Sequence, residues 1–234
     1  MSLMPKRARE KADVARHMIN LFVKDIADNM PDGAIVLDAG AGNCRYRPYF
    51  KRQRYLAADF CLVSGKNYKR MNIITDLSSM ALKENSMDAI INIQVLEHVR
   101  NPLRLLKELR HCLKPGGSLY LSCPQNWGVH EAPYDFYRFT NYALEDMFKE
   151  AGFDIDYIKP MGGYFCFLGE YIKRIPFVVV ESPRKNILNR LCFILLKELF
   201  FFWVPLVIMQ FDFLDKRKDF SIGYTCRVVK PQAN

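Results

Sequence analysis

Short apolar runs alternate along this chain with stretches in which apolar residues recur every three or four positions. Over residues 8–29 the apolar positions Val14, Met18, Leu21, Phe22, Ile26 and Ala27 make a helical stripe that ends before Pro31-Asp32-Gly33. Four strands are predicted next: residues 34–37 ending at Asp38, 54–58 ending at Asp59, 72–75 ending at Asp76, and 87–92. A helix is predicted between the first two, over residues 46–52. Pro102 opens a helix with Leu103, Leu106, Leu109 and Leu113 on one face, and Lys114-Pro115-Gly116-Gly117 ends it. A fifth strand over 118–123, a helix over 141–151 capped by Thr140 and stopped by Gly152, and a sixth strand over 153–158 complete the alternation.

Strands separated by helices of this length predict a doubly wound α/β fold, a mostly parallel sheet with helices on both faces. Residues 219–229 alternate well enough for a last strand, expected antiparallel. The organisation read from the pattern is an N-terminal helix over 1–32 covering the ligand side, an α/β core over 33–160, an aromatic and apolar insertion over 161–218, and a final strand and tail over 219–234.

Ligands bind beyond the carboxyl ends of the strands in such sheets. Asp38, Asp59, Asp76 and Gln94 fall there, and Val36-Leu37-Asp38-Ala39-Gly40-Ala41-Gly42-Asn43 forms a glycine turn after the first strand. A dinucleotide site needs a third glycine at position 45, where this chain has Arg45, and Asp38 would repel a pyrophosphate. Acid before the first glycine suits a cationic ligand.

These elements, with Asp76-Leu77, Val95-Leu96-Glu97-His98-Val99 and Leu113-Lys114-Pro115-Gly116-Gly117, resemble class I S-adenosylmethionine-dependent methyltransferases, in particular the ubiquinone/menaquinone-type branch. The resemblance covers about residues 33–160. It implies that Gly40, Gly42 and Asn43 form the loop along the methionine part of the cofactor and that Asp38 orients its amino group. It also implies that Asp59 takes the ribose hydroxyls, Asp76 and Leu77 the adenine, and backbone near Gln94 the amino-acid end.

Methyl transfer to oxygen needs the acceptor held about 3–3.5 Å from the methyl carbon and a base for its proton. The segment after the fifth strand carries His130, Glu131, Asp135 and Arg138 among five aromatics. His130 is expected as the base, with Glu131 its partner or substitute, and Tyr134, Tyr137, Arg138 and His98 as acceptor contacts. Such a site suits sugars, phenols or quinols, and the run Pro133-Tyr134-Asp135-Phe136-Tyr137-Arg138-Phe139-Thr140 is similar to methyltransferases of cell-surface polysaccharide pathways. So, more loosely, is Asp212-x-Leu214-Asp215 with Gly223-Tyr224.

The net charge of +9 admits an anionic partner, but the basic residues are dispersed, and the Pro-Pro-aromatic motif of N-methylating nucleic-acid enzymes is absent after the fourth strand. A small-molecule or glycan acceptor is therefore expected, with a nucleic-acid methyltransferase or a non-catalytic cofactor-binding protein as alternatives. The seven cysteines show no Cys-x-x-Cys pair and no histidines at ligand spacing, so reduced thiols, a cytoplasmic setting and no metal are expected. The N-terminus has no signal-peptide pattern. Residues 187–211 are apolar nearly all round but hold Lys197, Glu198 and Pro205, which weigh against a membrane span. A buried helix, a homodimer contact, a lid, or peripheral docking at the inner membrane face are the remaining expectations.

Overall fold

A computed structural model describes residues 13–61, 68–179 and 186–232. Among them, β1 (Ile35–Ala39), β2 (Arg54–Asp59), β3 (Ile73–Ile74), β4 (Met87–Ile93), β5 (Leu113–Pro124), β6 (Asp154–Pro160) and β7 (Gly223–Val229) form one sheet in the order β3-β2-β1-β4-β5-β7-β6. β1 pairs in parallel with both β2 and β4, β2 with β3 and β4 with β5, whereas β7 runs antiparallel to β5. The doubly wound sheet with an antiparallel last strand is thus observed, and its switch in strand order lies between β1 and β4.

The chain divides into two compact units, residues 21–159 with 223–234, and residues 1–20 with 160–222. In the first, α2 (Pro102–Cys112) and α3 (Asn141–Glu150) flank the sheet. Asn101 and Thr140 cap these helices, accepting from the N–H groups of Arg104 and Ala143. Leu105, Leu106 and Leu109 of α2 and Leu144 and Phe148 of α3 are fully buried with Leu37, Ile90, Leu119 and Leu121 of the strands. The helix α1 (Val14–Asn29) is shared between the units, and residues 8–12 of its expected span lie outside the described residues.

Three local expectations are corrected. Residues 46–52 form successive turns, with i→i+3 bonds from Arg47, Tyr49 and Phe50, because Pro48 has no N–H to continue a helical ladder. β5 starts directly after α2, five residues earlier than expected. Its pairing with β4 shifts register between Met87 and Ala89, so residues 114–117 bulge out where Lys114 meets Asp88 at 2.6 Å. Gly117 allows this, since a Cβ there would lie 2.8 Å from the Lys114 carbonyl oxygen. The last strand begins at Gly223 rather than 219.

In the second unit, α4 (Tyr164–Ile172) and α5 (Ile175–Val179) occupy the stretch read as an irregular insertion. The Asp212-x-Leu214-Asp215 motif supplies the missing cap of α4. Asp212 accepts from the N–H groups of Gly163 and Cys166, and Asp215 from that of Tyr164 at 2.7 Å. Lys218 binds Asp212 at 2.7 Å, and the charge-assisted bonds hold that carboxyl below its usual range against the opposing effect of burial. A buried Lys173–Glu170 pair at 2.6 Å is stabilised further by the Val14 N–H, which donates to the same Glu170 oxygen at 3.0 Å.

Residues 187–214 then run as one long apolar helical stretch: α6 (Ile187–Glu198), a π turn (Leu199–Trp203), α7 (Val204–Met209) and a final 3₁₀ turn. The wide turn absorbs Pro205, with the Val204 N–H reaching back five residues to Leu199. By length and composition this stretch could cross a membrane, although little of it is buried within the protein.

Candidate active site

Beyond the carboxyl ends of β1, β2 and β4 the first unit opens into a cavity of about 490 Å³. Gly40, Asp59, Asp76, Leu77, Gln94, His98, Glu131 and Tyr134, all singled out in the sequence, line it. Gly40 is required twice over. Its φ is +91°, and a Cβ would stand 2.3 Å from a Val95 methyl. Gln94 also holds a left-handed conformation, φ +56°, secured by its N–H on the Ser122 carbonyl and its side-chain amide on the Ser122 hydroxyl. Asp59 is preorganised by two backbone donors, Gly42 at 2.9 Å and Cys61 at 2.8 Å, one on each oxygen. The Ser78 N–H holds Asp76 in the same manner at 2.8 Å.

Other residues chosen from the sequence stand elsewhere. Asp38 is buried behind the glycine loop and accepts from the Tyr55 hydroxyl. Burial pushes its pKa up to about 7, opposed by the Tyr55 hydrogen bond, with the Asp59 charge adding to the rise. Gly42 and Asn43 do not line the cavity, and Gly42 acts on it through Asp59. Tyr137 donates its hydroxyl to the Arg100 carbonyl at 2.9 Å.

Arg138 was expected on the acceptor, but its donors serve the loop. Nε donates to the Trp127 carbonyl, Nη1 to Asp135 and the Tyr137 carbonyl, and Nη2 to Asp135 and the Gly128 carbonyl, at 2.6–2.9 Å. A guanidinium has five N–H groups, and all are spent. The Arg138 hydrogen bonds hold Asp135 well below the usual carboxylate range.

The loop after β5 is pinned to the turn after β4, for the Glu97 carbonyl accepts from the Phe136 N–H at 2.9 Å. His98 donates its Nδ1–H to the Tyr134 carbonyl, 2.5 Å away, and burial lowers its pKa. The ring of His130 meets that of His98 edge-on at 4.7 Å, so His130 stands behind His98 rather than in the cavity wall. Glu97 is fully buried, and neither carboxylate oxygen has a hydrogen-bond partner. Burial pushes its pKa up to about 8, against the weaker effects of its own N–H dipole and the Arg138 charge.

The sequence reading missed Phe60, Ser78, Val95, Val99, Arg100, Asn101, Arg104 and Phe136 as wall residues, and these complete the cavity lining. Phe60 could have been found, since it follows the strand-end acid directly. The two arginines reach the wall from α2 and the turn before it, which no local pattern announces.

A glycine turn with a fixed acid at the next strand end, set at the switch in strand order, defines a nucleoside-type site in an α/β domain. Residues 11–158 match the family model for a methyltransferase domain, and the chain belongs to that family. It is an S-adenosylmethionine-dependent methyltransferase of the class I fold. No curated protein matches the chain. Among solved structures it is similar to the 1,6-didemethyltoxoflavin-N1-methyltransferase of Burkholderia thailandensis with bound 1,6-didemethyltoxoflavin and S-adenosylhomocysteine. The identity there is 14%, the coverage 99% of this chain and 93% of that one, and the TM-score 0.56. It is also similar to the phosphoethanolamine N-methyltransferase 2 of Haemonchus contortus, solved with S-adenosyl-L-methionine: 16% identity, 97% and 56% coverage, TM-score 0.57. The [4+2]-cyclase SpnF shares the fold at 16% identity, 94% and 82% coverage and TM-score 0.57. Fold alone therefore does not fix the reaction.

Proposed function

We propose that this enzyme transfers a methyl group to an oxygen of a small-molecule, glycan or lipid-linked acceptor. One observation carries the reading: the glycine–acid elements at one end and the proton-accepting groups His98 and Glu131 at the other line a single cavity of about 490 Å³. That volume suits small ligands. When bound, S-adenosylmethionine supplies a methyl carbon activated by its sulfonium. Asp59 would hold the ribose hydroxyls, Asp76 and Leu77 the adenine side, and Gly40 with the Gln94 backbone the amino-acid end. Asp38, Gly42 and Asn43 act from behind, by shaping the turn.

On the acceptor side, Glu131 would receive the hydroxyl proton, with His98 beside it and His130 behind. Tyr134 and Phe136 would hold the acceptor's apolar face. Arg100 and Arg104 favour an acceptor that carries negative charge. Resemblance to the ubiquinone/menaquinone-type branch supports the same class of acceptor.

The apolar stretch 187–214 supports a place at a membrane surface on the cytoplasmic side. Leu188, Leu191, Leu195, Trp203 and Val207 are each more than half exposed, and Lys216 and Arg217 follow them in the chain.

Calorimetry with S-adenosylmethionine and S-adenosylhomocysteine tests the cofactor end. Asp59→Ala is expected to weaken both at least about tenfold, the loss of two hydrogen bonds to a charged acceptor. A methyl-transfer screen over sugars, quinols and lipid-linked glycans tests the acceptor. With the active acceptor, Glu131→Gln is expected to lower kcat by ~10²-fold and leave cofactor affinity unchanged. Unchanged turnover in that variant would remove Glu131 as the base.

A further inference from the structure

We propose that Glu97, His98 and His130 form a binding site for one divalent transition-metal ion at the acceptor end of the cavity. One ligand atom from each of the three lies within 4.8 Å of the others. The Nε2 atom of His98 is 3.8 Å from a Glu97 oxygen and 3.9 Å from a Glu131 oxygen.

The hydrogen bonds assign the tautomers. Nδ1 of His98 meets the Tyr134 carbonyl at 2.5 Å, and Nδ1 of His130 meets the Gly128 carbonyl at 3.2 Å. A carbonyl only accepts, so each Nδ1 carries the proton and each Nε2 presents a lone pair. Metal-binding histidines are oriented in the same way, by a main-chain carbonyl on the nitrogen that does not bind. The third member, Glu97, is fully buried with both oxygens unpartnered. One nitrogen from each of two histidines therefore converges with a buried carboxyl whose oxygens have no other partner, a donor set that a divalent cation would satisfy.

The distance between His98 and Glu97 is longer than a shared proton would hold. A hydrogen bond would bring Nε2 and the carboxylate oxygen to about 2.7–3.2 Å. An ion at about 2.1 Å from each of two ligands in tetrahedral geometry holds them about 3.4 Å apart. The observed 3.8 Å is a few tenths beyond the second and well outside the first. Imidazole with carboxylate selects zinc, iron, cobalt or manganese over magnesium or calcium. Glu131, beside His98, would be a fourth ligand or face the acceptor. The site itself does not depend on the acceptor assigned above. Its use rests on that reading: a divalent ion lowers the pKa of a hydroxyl it binds, which provides the deprotonation that oxygen methylation requires.

The test is a titration of the EDTA-stripped protein with Co²⁺, followed by calorimetry and by visible absorption, with Zn²⁺ as competitor. One saturable equivalent, displaced by Zn²⁺, is expected. Glu97→Gln, His98→Ala and His130→Ala should each weaken binding at least tenfold, while His17→Ala and His111→Ala leave it unchanged. His130 is on a loop and 30% exposed at its side chain, so its variant carries the test if the buried substitutions do not fold. No saturable uptake by the stripped protein, or uptake indifferent to His130→Ala, overturns the site. S-adenosylmethionine affinity, measured in parallel on stripped protein, should be unchanged. Its absence would count against the cofactor reading and not against the metal.

Discussion

Asp38 lies behind Gly40 with its carboxyl on the Tyr55 hydroxyl, and burial pushes its pKa up to about 7. In the unfolded chain the same group titrates near 3.9, about three units lower. The native state thus keeps the proton longer, and stability falls as pH rises from about 4 to about 7, by roughly 4 kcal/mol. Asp38→Asn, which still accepts from Tyr55, should remove most of that slope. Thermal melts of cofactor-free wild type and variant across this window check it, and parallel curves would refute the assignment. Arg138 makes the opposite point. A charge that looked available for the acceptor is fully used inside its own loop, because a guanidinium satisfied by Asp135 and three carbonyls has nothing left to offer.

The β1 turn depends on one contact between elements. Gly40 at φ +91° fits against Val95, the residue that begins the turn after β4. Gly40→Ala combines left-handed strain with overpacking, at a cost of about 1–3 kcal/mol for each. Cofactor binding is expected to fall below detection while the sheet still forms. A second change, Val95→Ala, should recover part of the stability, since it removes the methyls 2.3 and 2.8 Å from the added Cβ. Denaturant melts of the single and double variants measure the coupling, and strictly additive losses would disprove the contact. The helix caps were readable locally: Asn101 before Pro102 and Thr140 before Asn141 each bond the N–H three residues on. The cap of α4 was not, because Asp212 and Asp215 follow it by more than forty residues.

At the level of the molecule, the proposed membrane contact rests on the apolar stretch 187–214. Burying an exposed leucine is worth about 1.5–3 kcal/mol, and each nearby lysine or arginine adds about 1 kcal/mol at an anionic surface. Replacing Leu188, Leu191, Leu195 and Trp203 by serine should abolish co-sedimentation with anionic vesicles and leave S-adenosylmethionine binding intact. Vesicle binding that survives the change removes the membrane reading. A dimer in the parent that becomes a monomer in the variant would instead identify a second copy as the occupant.

Periodicity along the chain by itself determined the order of strands and helices, the doubly wound sheet and the acids at its strand ends. Each depends on backbone geometry and burial that repeat every two or 3.6 residues. The glycine turn was legible for the same reason, since only glycine tolerates that φ beside another side chain. Tertiary structure alone decided which charges face the cavity. Asp59 and Asp76 do, Asp38 does not, and Arg100 and Arg104 enter unannounced. It also brought Glu97 and His98 to His130 across thirty residues, a convergence that no spacing rule contains. Burial, charge and unpaired lone pairs are properties of the packed surroundings, and those exist only once the chain has folded.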